Sequence, residues 1–153
     1  MPESRNSTYN LERYRVLKAP TAAELRDHPI VRRALVQAWA DSLPASLVHR
    51  HEEGGWIYMN IATGEIAVER AASGSQALLD LNNPTHFIDS VVVGKFHTHP
   101  NPTDKGWESG PSETDRRTDA FHGVPDLIRA DNGVYVSGPD SRNGGLQGGP
   151  GYS

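Results

Sequence analysis

His97 and His99 carry the sharpest chemical signal in the chain. The run FIDSVVVGKF, Phe87–Phe96, is rich in β-branched residues, reads as a buried strand, and leads straight into His97-Thr98-His99-Pro100. Alternate side chains of a strand point to one face, so an H-x-H at its end aims two imidazoles into one space. Neutral imidazoles suit zinc. An isolated H-x-H is more often a pair of loop histidines. His49-Arg50-His51 is a second example, which we read as a surface loop. The distinguishing feature is Ser112-Glu-Thr-Asp115 downstream. Its spacing is that of a helix capping box, and alone it implies no more than a helix start. A helix N-terminus also favours an ionised carboxylate. Two histidines and one carboxylate make three protein ligands and leave a fourth tetrahedral position for water, as a catalytic zinc requires.

Such a centre needs a base. A carboxylate beside the activated water can take its proton and hand it to a leaving amine. Glu52 and Glu53, just before a predicted strand at Trp56–Ile61, are the candidates. The plain alternative for both is a charged loop.

The elements that must position these residues follow from the pattern. Residues 1–12 are polar and read as a flexible N-terminus, and Arg13–Leu17 as a short strand. Thr21-Ala-Ala-Glu24 has capping-box spacing, and Pro29 suits the first turn of a helix over 29–42. Its apolar face is read as Ile30, Ala34, Leu35 and Ala38, widened by Val31 and Trp39. Strands are expected at Trp56–Ile61 and Glu65–Ala71 around a Thr63-Gly64 turn. Ser73–Asn83 is ambiguous. Residues 100–111 form a loop, a helix runs from Ser112 to near Gly123, and strands at Asp126–Ala130 and Val134–Ser137 flank Asp131-Asn132-Gly133, a hairpin signal. Lys95 sits in the predicted strand and could point to solvent, His86 and His122 are expected at the surface or at a helix end, and Trp39 and Trp56 are expected to pack in the core. The residues from Asp140 onward are glycine-rich and read as a disordered tail. The sum is an α/β domain over 13–139, with a single mixed sheet flanked by helices.

Taken together, Glu52-Glu-Gly-Gly-Trp-Ile-Tyr, His97-Thr-His99-Pro and Pro111-Ser112-Glu-Thr-Asp115 resemble the JAMM (MPN-plus, JAB-domain) zinc metalloproteases, of the small prokaryotic type. That family carries a glutamate, then H-[S/T]-H-P, then S-x-x-D. The likeness spans roughly residues 25–138. It implies a cytidine-deaminase-like JAB/MPN fold, a Zn²⁺ cofactor, and hydrolysis of peptide or isopeptide bonds. Carried over by position, His97, His99 and Asp115 would be the zinc ligands. Ser112 would support the oxyanion, and Glu52, rather than Glu53, would be the acid/base. The substrate would be a protein or peptide, such as a ubiquitin-like tail, and the setting could be a bacterial antiviral conjugation system. Two other functions share these residues: an inactive MPN-type binding scaffold, and a zinc amidase acting on another amide. Twelve residues separate His99 from Ser112, more than is usual in the family. Loop length costs little, and Trp107 within this loop is a candidate substrate contact.

Composition narrows the classes. The net charge of −4 argues against a nucleic-acid partner. The absence of cysteine excludes disulfides, Cys-ligated zinc and the P-C-x-x-C signature of zinc deaminases. No apolar run is long enough for a membrane span, and the N-terminus has no apolar signal core, so a cytoplasmic location is expected.

Overall fold

A computed structural model describes residues 18–102, 107 and 110–141. The expected N-terminal arm, the strand at Arg13–Leu17 and the tail beyond residue 141 lie outside the described residues. The chain is α/β, with three helices and one mixed five-stranded sheet, in the order β2-β1-β3-β4-β5, among the described residues.

Thr21 caps α1 (Ala22–Asp27) with a complete capping box, its side chain accepting from Glu24 N and Glu24 answering on Thr21 N. Helix α2 (Pro29–Asp41) begins on Pro29, as its fixed φ favours. Its inward stripe is Val31, Leu35 and Ala38. Ile30, expected to face inward, is 38% exposed. The buried stripe starts one residue later because Val31, Leu35 and Ala38 repeat at i, i+4, i+7.

Strands β1 (Gly54–Asn60) and β2 (Ile66–Arg70) form an antiparallel hairpin whose turn places Gly64 at φ 79°. Strand β3 (Ser90–His99) starts three residues later than the sequence suggests and carries both histidines as strand residues. Phe87 and Ile88, expected within this strand, are exposed. Helix α3 (Glu113–His122) leads from β3 to β4 (Asp126–Ala130), which lies parallel to β3, and β5 (Gly133–Ser137) closes the sheet antiparallel to β4. A parallel neighbour requires such a crossover. Asp140 O accepts from Ala22 N, tying the end of the described chain to the start of α1.

One sheet face is apolar. Helices α1 and α2 pack Leu25, Val31 and Leu35 onto Ile57, Val93 and Phe96, all 4% exposed or less. The opposite face holds a smaller cluster of Trp56, Tyr58 and Leu81. There the Trp56 indole donates to Leu81 O and the Tyr58 hydroxyl to Thr85 O.

A β-bulge sets which face each β3 residue takes. Ile57 pairs with Gly94 and Tyr58 with Val92, which leaves Val93 without a partner on β1. Val91, Val93 and Phe96 therefore face the apolar core, and Val92, Lys95 and His97 the other side. Strict alternation from Val91 and Val93 would have driven Lys95, His97 and His99 into the core. Among the described residues, no helix is long and apolar enough to cross a membrane.

Candidate metal centre

The site forms where β3 ends and α3 begins, outside the carboxyl end of a parallel strand, a place where α/β sheets commonly bind ligands. His97 Nε2 lies 3.2 Å from His99 Nε2 and 3.4 Å from Asp115 Oδ1. His99 Nε2 lies 3.2 Å from Asp115 Oδ2. A zinc–nitrogen bond of about 2.0–2.1 Å gives a tetrahedral ligand–ligand edge of about 3.3 Å. The His97–His99 separation matches that edge, and the two Asp115 oxygens lie at about the same distance, Oδ1 from His97 and Oδ2 from His99.

Asp115 serves two ends. Ser112 caps α3, its side chain accepting from Asp115 N (3.0 Å), while Asp115 Oδ2 accepts from Ser112 N (2.9 Å). The helix-start role and the facing of the histidines thus coexist on one carboxylate. Burial alone would raise its pKa, but hydrogen bonds from His97 and His99 outweigh it and hold the group well below the usual carboxylate range.

His97 is buried, and its Nδ1 lies 3.1 Å from Asp126 Oδ1, a contact that turns Nε2 toward His99 and Asp115. Burial would lower His97, yet Asp126 and Asp115 raise it well above its ordinary value. Surroundings that strengthen an imidazole's hold on a proton suit a bound cation equally. Among the described residues, His99 Nδ1 has no hydrogen-bond partner.

Glu52 completes the cluster. Glu52, His97 and His99 each offer a donor atom, all within 4.8 Å of one another, and the group could hold a metal ion. Glu52 is 6% exposed, and burial pushes its carboxyl up to about 6. No hydrogen bond from the described residues holds that carboxylate. Its backbone is fixed, with its N–H donating to Ser75 O and its carbonyl accepting from Gly74 N. At Gly54, a Cβ would sit 2.2 Å from Phe96 O and 2.9 Å from His97 Cα, so the glycine permits β1 to approach the ligand strand this closely.

Glu53, the competing candidate, is occupied. Its carboxylate accepts from Arg70 (2.7 Å), His51 (2.6 Å) and the Ser73 hydroxyl. Burial would raise it, and these three hydrogen bonds lower it. His51, expected in a solvent loop, is part of this clamp, whereas His49 stays exposed.

Two clefts meet at the site. One of about 520 Å³ runs from Glu52, His97, Ser112 and Asp115 along α3 to Lys95 and Asp119. The other brings Trp107, 43% exposed, beside His99, Ser112 and Asp115. Residues 103–106 and 108–109 of that loop lie outside the described set.

Several site residues escape the sequence reading. Lys95, expected in solvent, is 2% exposed, because the bulge and its pairing with Asp126 on β4 turn it beneath α3. Asp126 and Asp119 are buried beside it. The i, i+4, i+7 spacing of Asp115, Asp119 and His122 was a visible signal. Asp126 had none, since strand register is not written locally. His122 does end α3, half-buried. Compared with protein-family models, curated proteins and solved structures, the chain matches none.

Proposed function

We propose that the chain is a zinc-dependent peptidase or isopeptidase of the JAMM type, with His97, His99 and Asp115 as ligands and Glu52 as general acid/base. One observation carries this reading: His97, His99 and the Glu52 carboxylate offer donor atoms all within 4.8 Å of one another, Asp115 sets one oxygen against each histidine, and among the described residues nothing hydrogen-bonds the desolvated Glu52 carboxylate. The mixed sheet with a helix crossing from the ligand strand to its parallel neighbour is compatible with a JAB-type fold.

Zinc bound there would supply Lewis acidity and a water of pKa near about 7. Glu52, with its carboxyl near 6, has the affinity needed to accept a proton at neutral pH and return it to a leaving amine. The Ser112 hydroxyl accepts from Asp115 N and keeps its own proton to donate to a substrate carbonyl oxygen as charge develops. Asp126 holds the His97 ring in the tautomer that leaves Nε2 free. The substrate is a protein or peptide segment laid along the cleft beside Trp107, for which a ubiquitin-like tail joined to an amine is the expected form.

Elemental analysis of protein purified without chelator tests the metal, with one zinc per chain expected. His97→Ala and Asp115→Ala should lose zinc and part of the thermal stability, because binding energy of this kind is folding energy. Metal that stays sub-stoichiometric after zinc addition rejects the centre. Full zinc with no hydrolysis of peptide or isopeptide substrates leaves a binding module in its place.

A further inference from the structure

Helix α3 supplies Asp115, yet it has no apolar side chain with which to dock. Its sequence is ETDRRTDAFH, and its one buried residue is Asp119. Ala120 and Phe121 are its only apolar residues; both are exposed, Phe121 at 88%. The residues that are not exposed are Asp115, Thr118, Asp119 and His122. They form one stripe at i, i+3, i+4, i+7, the face that turns to the sheet. An amphipathic helix normally docks through apolar burial. Here that face is entirely polar.

Lys95 meets this stripe. Its ammonium lies 2.6 Å from Asp119 Oδ1 and donates to His122 Nδ1 at 2.7 Å. Lys95 is 2% exposed and Asp119 1%. His122 Nε2 in turn donates to Asn82 Oδ1. The two ligand-bearing elements are thus matched twice over. Strand β3 presents His97 and Lys95, two residues apart, and α3 presents Asp115 and Asp119, four apart. The upper pair meets at the proposed metal centre and the lower pair in a buried contact, where Asp119 also shares a hydrogen bond with Asp126 and burial pushes its carboxyl up to about 8. Behind Lys95, Asp126 sits opposite it in the β3–β4 register and accepts from His97. Removing one side of a buried polar contact leaves the other short of its partner, whereas replacing both sides with apolar groups is often neutral or better.

We infer that Lys95 is the latch that docks α3, and therefore a positioning residue for Asp115, with Asp119 and His122 as its catch. The consequence for zinc affinity rests on the metal reading, whereas the docking of α3, read by hydrogen exchange, does not. With the latch closed, the Asp115 carboxylate is held opposite His97 and His99 before any ion arrives. With it open, α3 must be ordered by the ion itself, and affinity falls.

The test is a double-mutant cycle on the full chain, Lys95→Met, Asp119→Leu and both together, read by amide hydrogen exchange of the metal-free protein and by zinc affinity in chelator competition. Each single variant should speed exchange in α3 by roughly tenfold or more while β1 and β3 amides keep their rates. Each should weaken zinc binding by about 10–100-fold. The double variant should restore both quantities to within about threefold of wild type, because an apolar pair docks the helix as well. Should the single variants unfold the whole domain, the double variant decides alone: a folded domain with α3 protected upholds the latch, and an unprotected α3 overturns it. Unchanged α3 exchange in Lys95→Met also overturns it. So does a loss of zinc affinity that the double variant fails to restore, which would mean that Lys95 acts by charge through Asp126. If wild type takes no zinc, the proposed function falls, and the exchange data still judge the latch.

Discussion

Glu52 and Glu53 are adjacent and equally buried, at 6% and 5% exposure, and the chain treats them in opposite ways. Glu53 faces Arg70, His51 and Ser73, and Arg70 extends the clamp to Asp41 on α2. Its backbone exchanges two hydrogen bonds with Thr98, the residue between the two histidines: its N–H donates to Thr98 Oγ1, and its carbonyl accepts from Thr98 N. Thr98 shares a further hydrogen bond with Ser42. Glu52 points the other way, into the cleft, with the two histidines, Asp115 and Asp126 acting on its charge. One carboxylate is satisfied and lowered in pKa; its neighbour is desolvated and raised. The difference separates support from chemistry. On the proposed function, a group that exchanges a proton would not also be saturated with fixed donors, and the hydrogen bonds that hold this segment sit one residue away, on Glu53 just before β1.

The sharpest way to break this comparison is kinetic. In zinc-loaded protein, Glu52→Gln should keep its metal and lose hydrolysis on the order of 10²–10⁴-fold, since glutamine cannot take a proton. Glu53→Gln should retain turnover in proportion to its folded fraction. A dead Glu53→Gln beside an active Glu52→Gln would exchange the two roles.

Stability should move in the other sense. Glu53→Gln should cost about 2–3 kcal/mol at pH 7, because it weakens charge-assisted hydrogen bonds in a buried place. The native pKa of Glu53 is lowered, so its contribution is present above the ordinary carboxylate range and is lost as pH falls through its native value. Denaturant melts at pH 7 and at strongly acid pH should therefore show the gap closing. A gap that persists in acid would assign the effect to packing.

Glu52 predicts the reverse. Its pKa rises from 4.5 to about 6, so its contribution is fully present below 4.5 and is lost as pH rises through 6. Above pH 7 the ionised group should cost the metal-free protein about 2 kcal/mol. Glu52→Gln should thus raise the metal-free melting temperature at pH 8 and leave it nearly unchanged at pH 4. A destabilised Glu52→Gln at pH 8 would show that the carboxylate has partners in solution.

The smallest stability effect belongs to Trp107. It is 43% exposed at the cleft mouth, so Trp107→Ala should alter stability by less than about 0.5 kcal/mol, keep the zinc and raise the substrate KM. A large fall in melting temperature with unchanged KM would make it a packing residue.

Much of this molecule is readable locally. The caps at Thr21 and Ser112 announce themselves because the side chains satisfy backbone groups three residues away. Pro29 and the Asp131-Asn132-Gly133 hairpin are equally local, fixed by φ preferences. The set of His97, His99 and Asp115 follows from residue type and spacing. Lys95 shows where local reading stops: nothing in its neighbours tells that α3 will cover it.

The sequence by itself determined the elements, their capped ends and three of the four groups at the centre, because periodicity, capping and turn chemistry act over a few residues. Only the tertiary structure gave Glu52 and Glu53 opposite surroundings, buried Lys95 under α3, and brought Asp126 to His97. Those outcomes depend on strand register and on the bulge at Val93, which turns Lys95 and His97 away from the apolar core. Register is set by partners that lie far away along the chain, and a one-residue shift exchanges the faces of everything beyond it.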